Sequence, residues 1–289
     1  MDGKIVLVTG ATAGIGYHIA AALATLGAKV FVTGRNEARG KEAVDELRRL
    51  AGHNQIELIV SDASLARENV VLADEVARRV DRLDVLVANA GGGVVGDRRM
   101  TREGFELNLA LNFIGPFTLT NRLLPLLSKS APSRIIHVGS SAFEMAKGDA
   151  FADLNSDQRY VGIEAHARAK LLALLFVLGL VRKLEGTSIL ANSVNPGMAW
   201  TPSTEAVTSD AVPAWRFIFP IVRWFQKRAP AEKAARGPIF LASSPAAAFS
   251  GRYFDEIKEK PLPAHVQDRA IQERAWTLGE TLMASALAT

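Results

Sequence analysis

Short apolar runs alternate with longer stretches in which apolar positions recur every three or four residues. The short runs predict strands near Lys4–Thr9, Lys29–Thr33, Ile56–Val60, Val85–Ala88, Arg134–Val138, Ser188–Val194 and Arg252–Phe254. The periodic stretches predict helices beginning near Ile15, Glu37, Leu65, Arg102, Asp157 and Ala231. Strict alternation of this kind builds a parallel sheet from βαβ units. Most of the strand runs are apolar without interruption, as required of strands covered on both faces. The expected fold is α/β: a single doubly wound Rossmann-type domain over residues 1–289, with a parallel sheet of about seven strands and helices on both faces.

One segment breaks the rhythm. Residues 200–228 hold Pro202, Pro213 and Pro220 among Trp200, Trp215, Phe217, Phe219, Trp224 and Phe225. An insertion of this composition after a late strand suits an apolar lobe over a substrate pocket. The competing readings are a lid over core and a surface that rests on a partner or membrane.

Composition narrows the function without naming it. The chain is 48 % hydrophobic and 22 % charged, which excludes a disordered protein. Its net charge of +4, over 34 basic and 30 acidic residues, suits an anionic cofactor and forms no nucleic-acid stripe. With no cysteine, thiolate nucleophiles and disulfides are ruled out. His18, His53, His137 and His265 lack metal-ligand spacing, so no metal is expected. The start of the chain lacks the pattern of a signal peptide, and no apolar stretch reaches the length of a membrane span. A soluble cytoplasmic protein is the expectation.

The chemistry begins where the first strand ends, in Gly10-Ala11-Thr12-Ala13-Gly14-Ile15-Gly16. A diphosphate needs close backbone approach and free N–H groups at a helix N-terminus, and glycines between a strand and a helix supply both. The alternative is a Gly-rich turn with no ligand. After the second strand comes Arg35-Asn36, where an acidic residue would grip the ribose of NAD and arginine accommodates a 2′-phosphate. Arg35 therefore favours NADP(H), against the alternative of a solvated surface arginine. Asp62, followed by Ala63, is placed to meet the adenine amino group, although a helix cap would use it equally well. Asn89-Ala90-Gly91 lets the ribose lie against the backbone, and Pro196-Gly197 with Thr201 could hold the nicotinamide amide.

In this order, these residues resemble the short-chain dehydrogenase/reductase family, with its TGxxxGxG, NNAG, serine, YxxxK and PG fingerprints. The likeness runs from about Lys4 to Phe254. Thr101-Arg102-Glu103-Gly104-Phe105-Glu106, Asn112-Phe113-Ile114-Gly115 and Arg134-Ile135-Ile136-His137-Val138 are most similar to the retinol-dehydrogenase-like, NADP-preferring branch. The resemblance implies oxidation or reduction of a small apolar alcohol or carbonyl, and a homo-oligomer built on the helices expected near Arg102 and Asp157. It also implies that Ser141 orients the carbonyl, that Lys170 holds the ribose and tunes a tyrosine, and that Asn112 organises a proton-relay water.

The tyrosine is missing. Four residues before Lys170 stands His166, and none of Tyr17, Tyr160 and Tyr253 has a lysine four positions on. His166 and Lys170 still share one helix face, a turn apart. A histidine has a reference pKa of about 6.5 against about 10 for tyrosine, and the Lys170 charge should lower it further. Three readings follow: hydride transfer with histidine handling the proton, base-led non-redox chemistry, or a silent protein that binds cofactor without turnover. Tyr160 is the substitute phenol, more than two turns from Lys170 if the helix is continuous.

Overall fold

The computed structural model describes residues 1–288 apart from Gly93 and Val95; the side chain of Trp215, named above in the lobe, lies outside the described residues. Eight strands form one sheet in the order β3-β2-β1-β4-β5-β6-β7-β8. They are β1 Ile5–Val8, β2 Lys29–Gly34, β3 Ile56–Val60, β4 Val85–Ala88, β5 Ser133–Val138, β6 Ile189–Asn195, β7 Tyr253–Asp255 and β8 Lys258–Glu259. All pairs are parallel except the last, a hairpin in which β8 runs against β7. The two-residue β8 is the strand that the apolar pattern does not show, because both its residues are exposed.

Side chains alternate between two cores. Val6, Val8, Val30, Val32 and Val87 face α1 Gly14–Thr25, α2 Glu37–Ala51 and α9 Ala231–Ser243. Leu7, Phe31, Leu86 and Ile135 face α3 Ala66–Arg79, α5 Gly115–Leu127 and α6 Gly162–Lys183. Period-two alternation with both faces apolar is what a sheet between helix layers demands. The chain reverses direction across the sheet between β1 and β4, and ligands of open α/β sheets bind outside the carboxyl ends of the strands at such a point.

Two helices start later than their pattern suggests, and each delay has a local cause. Instead of a helix at Arg102, the chain makes a turn with Gly104 at φ 80° and a bridge between Met100 and Glu106. The Glu106 carboxylate then caps α4 Leu107–Leu109, accepting from the N–H groups of Asn108 and Leu109. A π-helical turn, Ala110–Ile114, joins α4 to α5. Ahead of α6, Asp153 accepts from the N–H of Asp157 at 2.7 Å and of Gln158, which holds that segment in a turn until Gly162.

The segment 200–228 folds as short pieces, including α7 Pro202–Glu205 and α8 Phe219–Gln226. Arg223 ties α8 down by donating to the carbonyls of Val207 and Glu205 and by lying over the Trp200 ring. Its apolar side chains split. Ala211 and Val212 are buried, whereas Phe217 is 94 % exposed and Ile221, Trp224 and Phe225 also face out.

The tail forms α10 Ala264–Gln267 and the long α11 Arg269–Ala288. Trp276 of α11 packs against Phe117 of α5 and Phe176 of α6, with ring centroids 5.3 and 5.8 Å apart. Gly279 lies so close to Phe117 that a Cβ there would collide with the ring. This helix thus packs on α5 and α6, the helices on which a homo-oligomer was expected. No described helix is long and apolar enough to cross a membrane.

Candidate active site and cofactor cleft

At the switch point the chain is tight. Gly10 has φ 63°, and a Cβ on it would sit 3.0 Å from the Ala90 Cα. Gly14, at φ 60°, opens α1, whose N-cap Ala13 supplies no side-chain acceptor. The first N–H groups of α1, running through Ile15 and Gly16, therefore find no side-chain cap, which is the arrangement that receives an anion. Gly16 packs under Gly10 and Asn89, where any side chain would collide. Asn89 donates to the carbonyls of Thr9 and Gly10 at 2.9 and 3.3 Å, so its visible work is to clamp β4 to this loop.

Beside the loop lies a cleft of about 290 Å³ lined by Thr12, Ala13, Gly14, Tyr17, Arg39 and acidic neighbours Glu42 and Glu46. Arg35, largely exposed, lies 3.9 Å from Asp62. Asn36 is occupied as the N-cap of α2, accepting from Arg39 N–H at 2.9 Å. Asp62 holds a turn by accepting from the N–H and hydroxyl of Ser64. The Ala63 carbonyl accepts from Asn69 at 3.1 Å and packs against Gly115. Arg39 was not singled out from the sequence. The available signal was its place in the first turn of α2, four residues after Arg35.

The loop after β6 folds back over this region. Gly197 has φ 79° after Pro196, and Thr201 caps α7 by accepting from Thr204 N–H. Thr201 lies against Gly14, where an added Cβ would be 3.0 Å from its methyl carbon. The position expected at the nicotinamide thus touches the glycine turn expected at the diphosphate. The glycine cradle and the uncapped helix end fit the diphosphate of a nicotinamide dinucleotide.

Past Gly91 the cleft reaches a polar cluster. A Cβ on Gly91 would lie 3.1 Å from Asn112 Oδ1 and 3.2 Å from Lys170 Nζ. Asn112, inside the π turn, donates to the Gly92 carbonyl at 2.8 Å and accepts from Gly92 N–H at 3.2 Å. Lys170 donates to the Val138 carbonyl at 3.2 Å. Burial pushes its ammonium down to about 8.

His166 is buried on the same face of α6. Its Nδ1 lies 3.3 Å from Asn108 Oδ1, and its ring also hydrogen-bonds the Gly92 backbone. Burial above all, then the Lys170 charge, pushes its pKa down to about 3. The sequence pointed to the charge; burial is the larger cause. A second histidine, His137 on β5, is buried nearby and pushed down to about 3 for the same two reasons. It was passed over for lack of metal spacing. Among the described residues, no group of three or more His, Cys, Asp or Glu side chains could hold a metal.

Two placements differ from the sequence reading. Ser141 is exposed at the start of the 3₁₀ turn Ser141–Met145, while half-buried Ser140 accepts from Ala142 N–H at 3.1 Å. Tyr160 lies outside α6, so no helical geometry separates it from Lys170. It hydrogen-bonds the Asn108 side chain, the same side chain that meets His166, and burial pushes its hydroxyl up to about 12. Beside this cluster, Met145, Val161, Ile163, Val212, Pro213 and Ala214 line a mostly apolar cavity of about 200 Å³.

The family profile described as short chain dehydrogenase matches residues 4–212. Retinol dehydrogenase 14 of Homo sapiens is 37 % identical over 98 % of this chain and 87 % of its own length. The solved Pseudomonas aeruginosa RhlG/NADP active-site complex is 28 % identical, with a TM-score of 0.65 over 88 % of this chain and 95 % of that one. A 7α-hydroxysteroid dehydrogenase complexed with NADH and 7-oxo glycochenodeoxycholic acid is 25 % identical, with a TM-score of 0.69 over 89 % and 94 %. With the glycine turn at the switch point and lysine, asparagine and histidine gathered at Gly91, the chain belongs to the short-chain dehydrogenase family, in its retinol-dehydrogenase-like branch, and is an oxidoreductase.

Proposed function

We propose that this protein is an NADP(H)-dependent oxidoreductase of apolar alcohols and carbonyls in which His166, with Lys170, handles the proton. The observation that carries this reading is the burial of His166 one helical turn from Lys170, on the face that closes on Gly91 and Gly92. The bound nicotinamide would supply the hydride acceptor or donor. Gly10, Thr12, Ala13, Gly14, Ile15 and Gly16 would receive its diphosphate, with Ala90 and Gly91 against a ribose and Pro196, Gly197 and Thr201 toward the nicotinamide. Lys170 would hold the ribose hydroxyls, and Asn112 keeps Gly92 in place. Burial supports Ser140 rather than the exposed Ser141 as the hydroxyl that orients substrate, and separate alanine variants distinguish the two.

Neutral imidazole is a base, so the arrangement favours taking a proton from an alcohol over giving one to a ketone. The same property supports a second reading, base-led chemistry without net NADPH consumption.

Arg35, with Arg39 in the first turn of the helix that follows, supports NADP(H) over NAD(H), since a guanidinium pairs with a 2′-phosphate in forked geometry. Titration by intrinsic tryptophan fluorescence should show NADPH binding more tightly than NADH, and Arg35→Asp should reverse the order. Equal affinities in the unaltered protein would overturn this assignment.

The root of the 200–228 lobe, Val212 to Ala214, lines the apolar cavity, which supports a substrate-covering role for that root. Val212→Asp is expected to raise KM for an apolar alcohol at least tenfold while leaving the NADPH dissociation constant within twofold, on the scale of one lost apolar contact set. An unchanged KM would move the substrate elsewhere.

A further inference from the structure

We infer that Glu106 and Asn108 form a positioning pair that fixes the tautomer of His166, placing its proton on Nδ1 and leaving Nε2 as the basic nitrogen. The inference rests on His166 being the proton-handling group and adds which of its nitrogens does the work.

An asparagine amide can be turned either way, so its orientation has to be argued from what surrounds it. Here the surroundings decide. Asn108 is fully buried, and its Nδ2 is 2.9 Å from Oε1 of Glu106. Both Glu106 oxygens take backbone N–H groups and so act as acceptors, and the amide nitrogen is the atom that faces Oε1. Glu106 cannot swing away, because the same carboxylate caps α4 through the N–H groups of Asn108 and Leu109 at 2.9 and 3.0 Å. With the nitrogen committed, Oδ1 is the atom presented to His166 Nδ1, 3.3 Å away. An amide oxygen also only accepts. Two acceptors cannot satisfy each other, so Nδ1 carries the hydrogen. In a neutral ring the lone pair is then on Nε2.

This is the logic by which a carboxylate orients the histidine of a hydrolase triad, carried out by an amide that a carboxylate holds in place. The Gly92 carbonyl, which accepts from the Asn112 amide at 2.8 Å and keeps a second lone pair, is a competing acceptor at the ring, and the nitrogen spectrum decides between it and Asn108. The pair also explains the form of α4. A helix start whose cap residue sits two positions before Asn108 locks that side chain rigidly to the helix that follows.

The test is the ring nitrogen spectrum of the whole protein, uniformly ¹⁵N-labelled, at neutral pH. Two-bond ¹H–¹⁵N correlations separate a protonated from a bare ring nitrogen, and only five histidines contribute. The His166 signals are those lost in His166→Gln. The expected result is a protonated Nδ1 and a bare Nε2. A protonated Nε2 in the unaltered protein would overturn the inference outright. In Asn108→Leu, with a retained circular-dichroism spectrum, the proton should move to Nε2 and kcat should fall, by up to roughly 10⁴-fold when the tautomer is wrong, with KM little changed. A folded Asn108→Leu that keeps Nδ1 protonated would equally contradict it. Should Asn108→Leu not fold, Glu106→Gln is read in its place: loss of the carboxylate frees the amide to turn, and a mixed tautomer is expected, whereas an unmixed Nδ1–H spectrum would count against the pair. The reading of His166 as the proton-handling group fails separately, if His166→Ala keeps full turnover while the tautomer is as stated.

Discussion

His166→Ala should lower turnover of an apolar alcohol by roughly 10²–10⁴-fold, the usual worth of a positioned acid or base, while the NADPH dissociation constant stays within a factor of about two. The asymmetry follows from where His166 sits. It lies on α6 facing Gly91 and Gly92, whereas the glycine turn proposed to receive the diphosphate runs from Gly10 to Gly16. The pH profile should separate histidine from a phenol. With its pKa pushed down to about 3, His166 is neutral throughout the working range, so the rate should show no acid limb near 6.5. Lys170, pushed down to about 8, loses its charge as pH rises through that value, and the rate should fall there. His166→Tyr should move the active range to higher pH, because a phenol in this place must ionise to act as a base. If His166→Ala retains the parent rate, the proton belongs to another group, and Tyr160, held by Asn108, is the next to remove.

A second large effect is expected far from the chemistry. Trp276→Ala should destabilise the protein by about 3–5 kcal/mol, the range for deleting a large aromatic side chain from a packed interior. Trp276 is only 7 % exposed, stands against Phe117 and Phe176, and receives the Lys183 ammonium 4.5 Å from its ring centroid. Its indole N–H donates to Glu280 at 2.8 Å, so truncation also strands a carboxylate partner on α11. Urea unfolding monitored by circular dichroism would give the value. A loss below about 1 kcal/mol would mean that α11 is a loose cover rather than part of the core.

These two expectations differ in how far the sequence led to them. The glycine turn after β1 was legible because its geometry is local. A strand, a glycine turn and a helix start within a dozen residues encode both the close approach at Gly10 and the open N-terminus of α1. His166 and Lys170 were legible for the same reason, through one turn of helix. What could not be read depends on groups distant in the chain. The start of α3 is fixed by Glu103, which accepts from the N–H groups of Ala66 and Arg67 at 2.7 and 3.0 Å. The His166–Asn108 contact joins residues 58 positions apart, and its sense depends on a carboxylate that looked from the sequence like part of an ordinary helix. Which of Ser140 and Ser141 is the more buried depends on one residue of register in a 3₁₀ turn, which hydrophobic periodicity does not resolve. The packing of α11 on α5 and α6 was hidden because an apolar stripe in the tail, with Trp276, Leu282, Met283 and Leu287, does not say which face of the domain it meets.

The most direct test of the central claim is to follow NADP⁺ reduction and product formation together, in one reaction, across a panel of apolar alcohols. The account predicts at least one alcohol for which product and NADPH appear in a one-to-one ratio, with both rates lost together in His166→Ala. Product formed with no change in NADPH would assign the site to base-led, non-redox chemistry. NADPH binding with no product from any member of the panel, in a protein that is fully folded, would contradict the account of His166 as a working proton-transfer group.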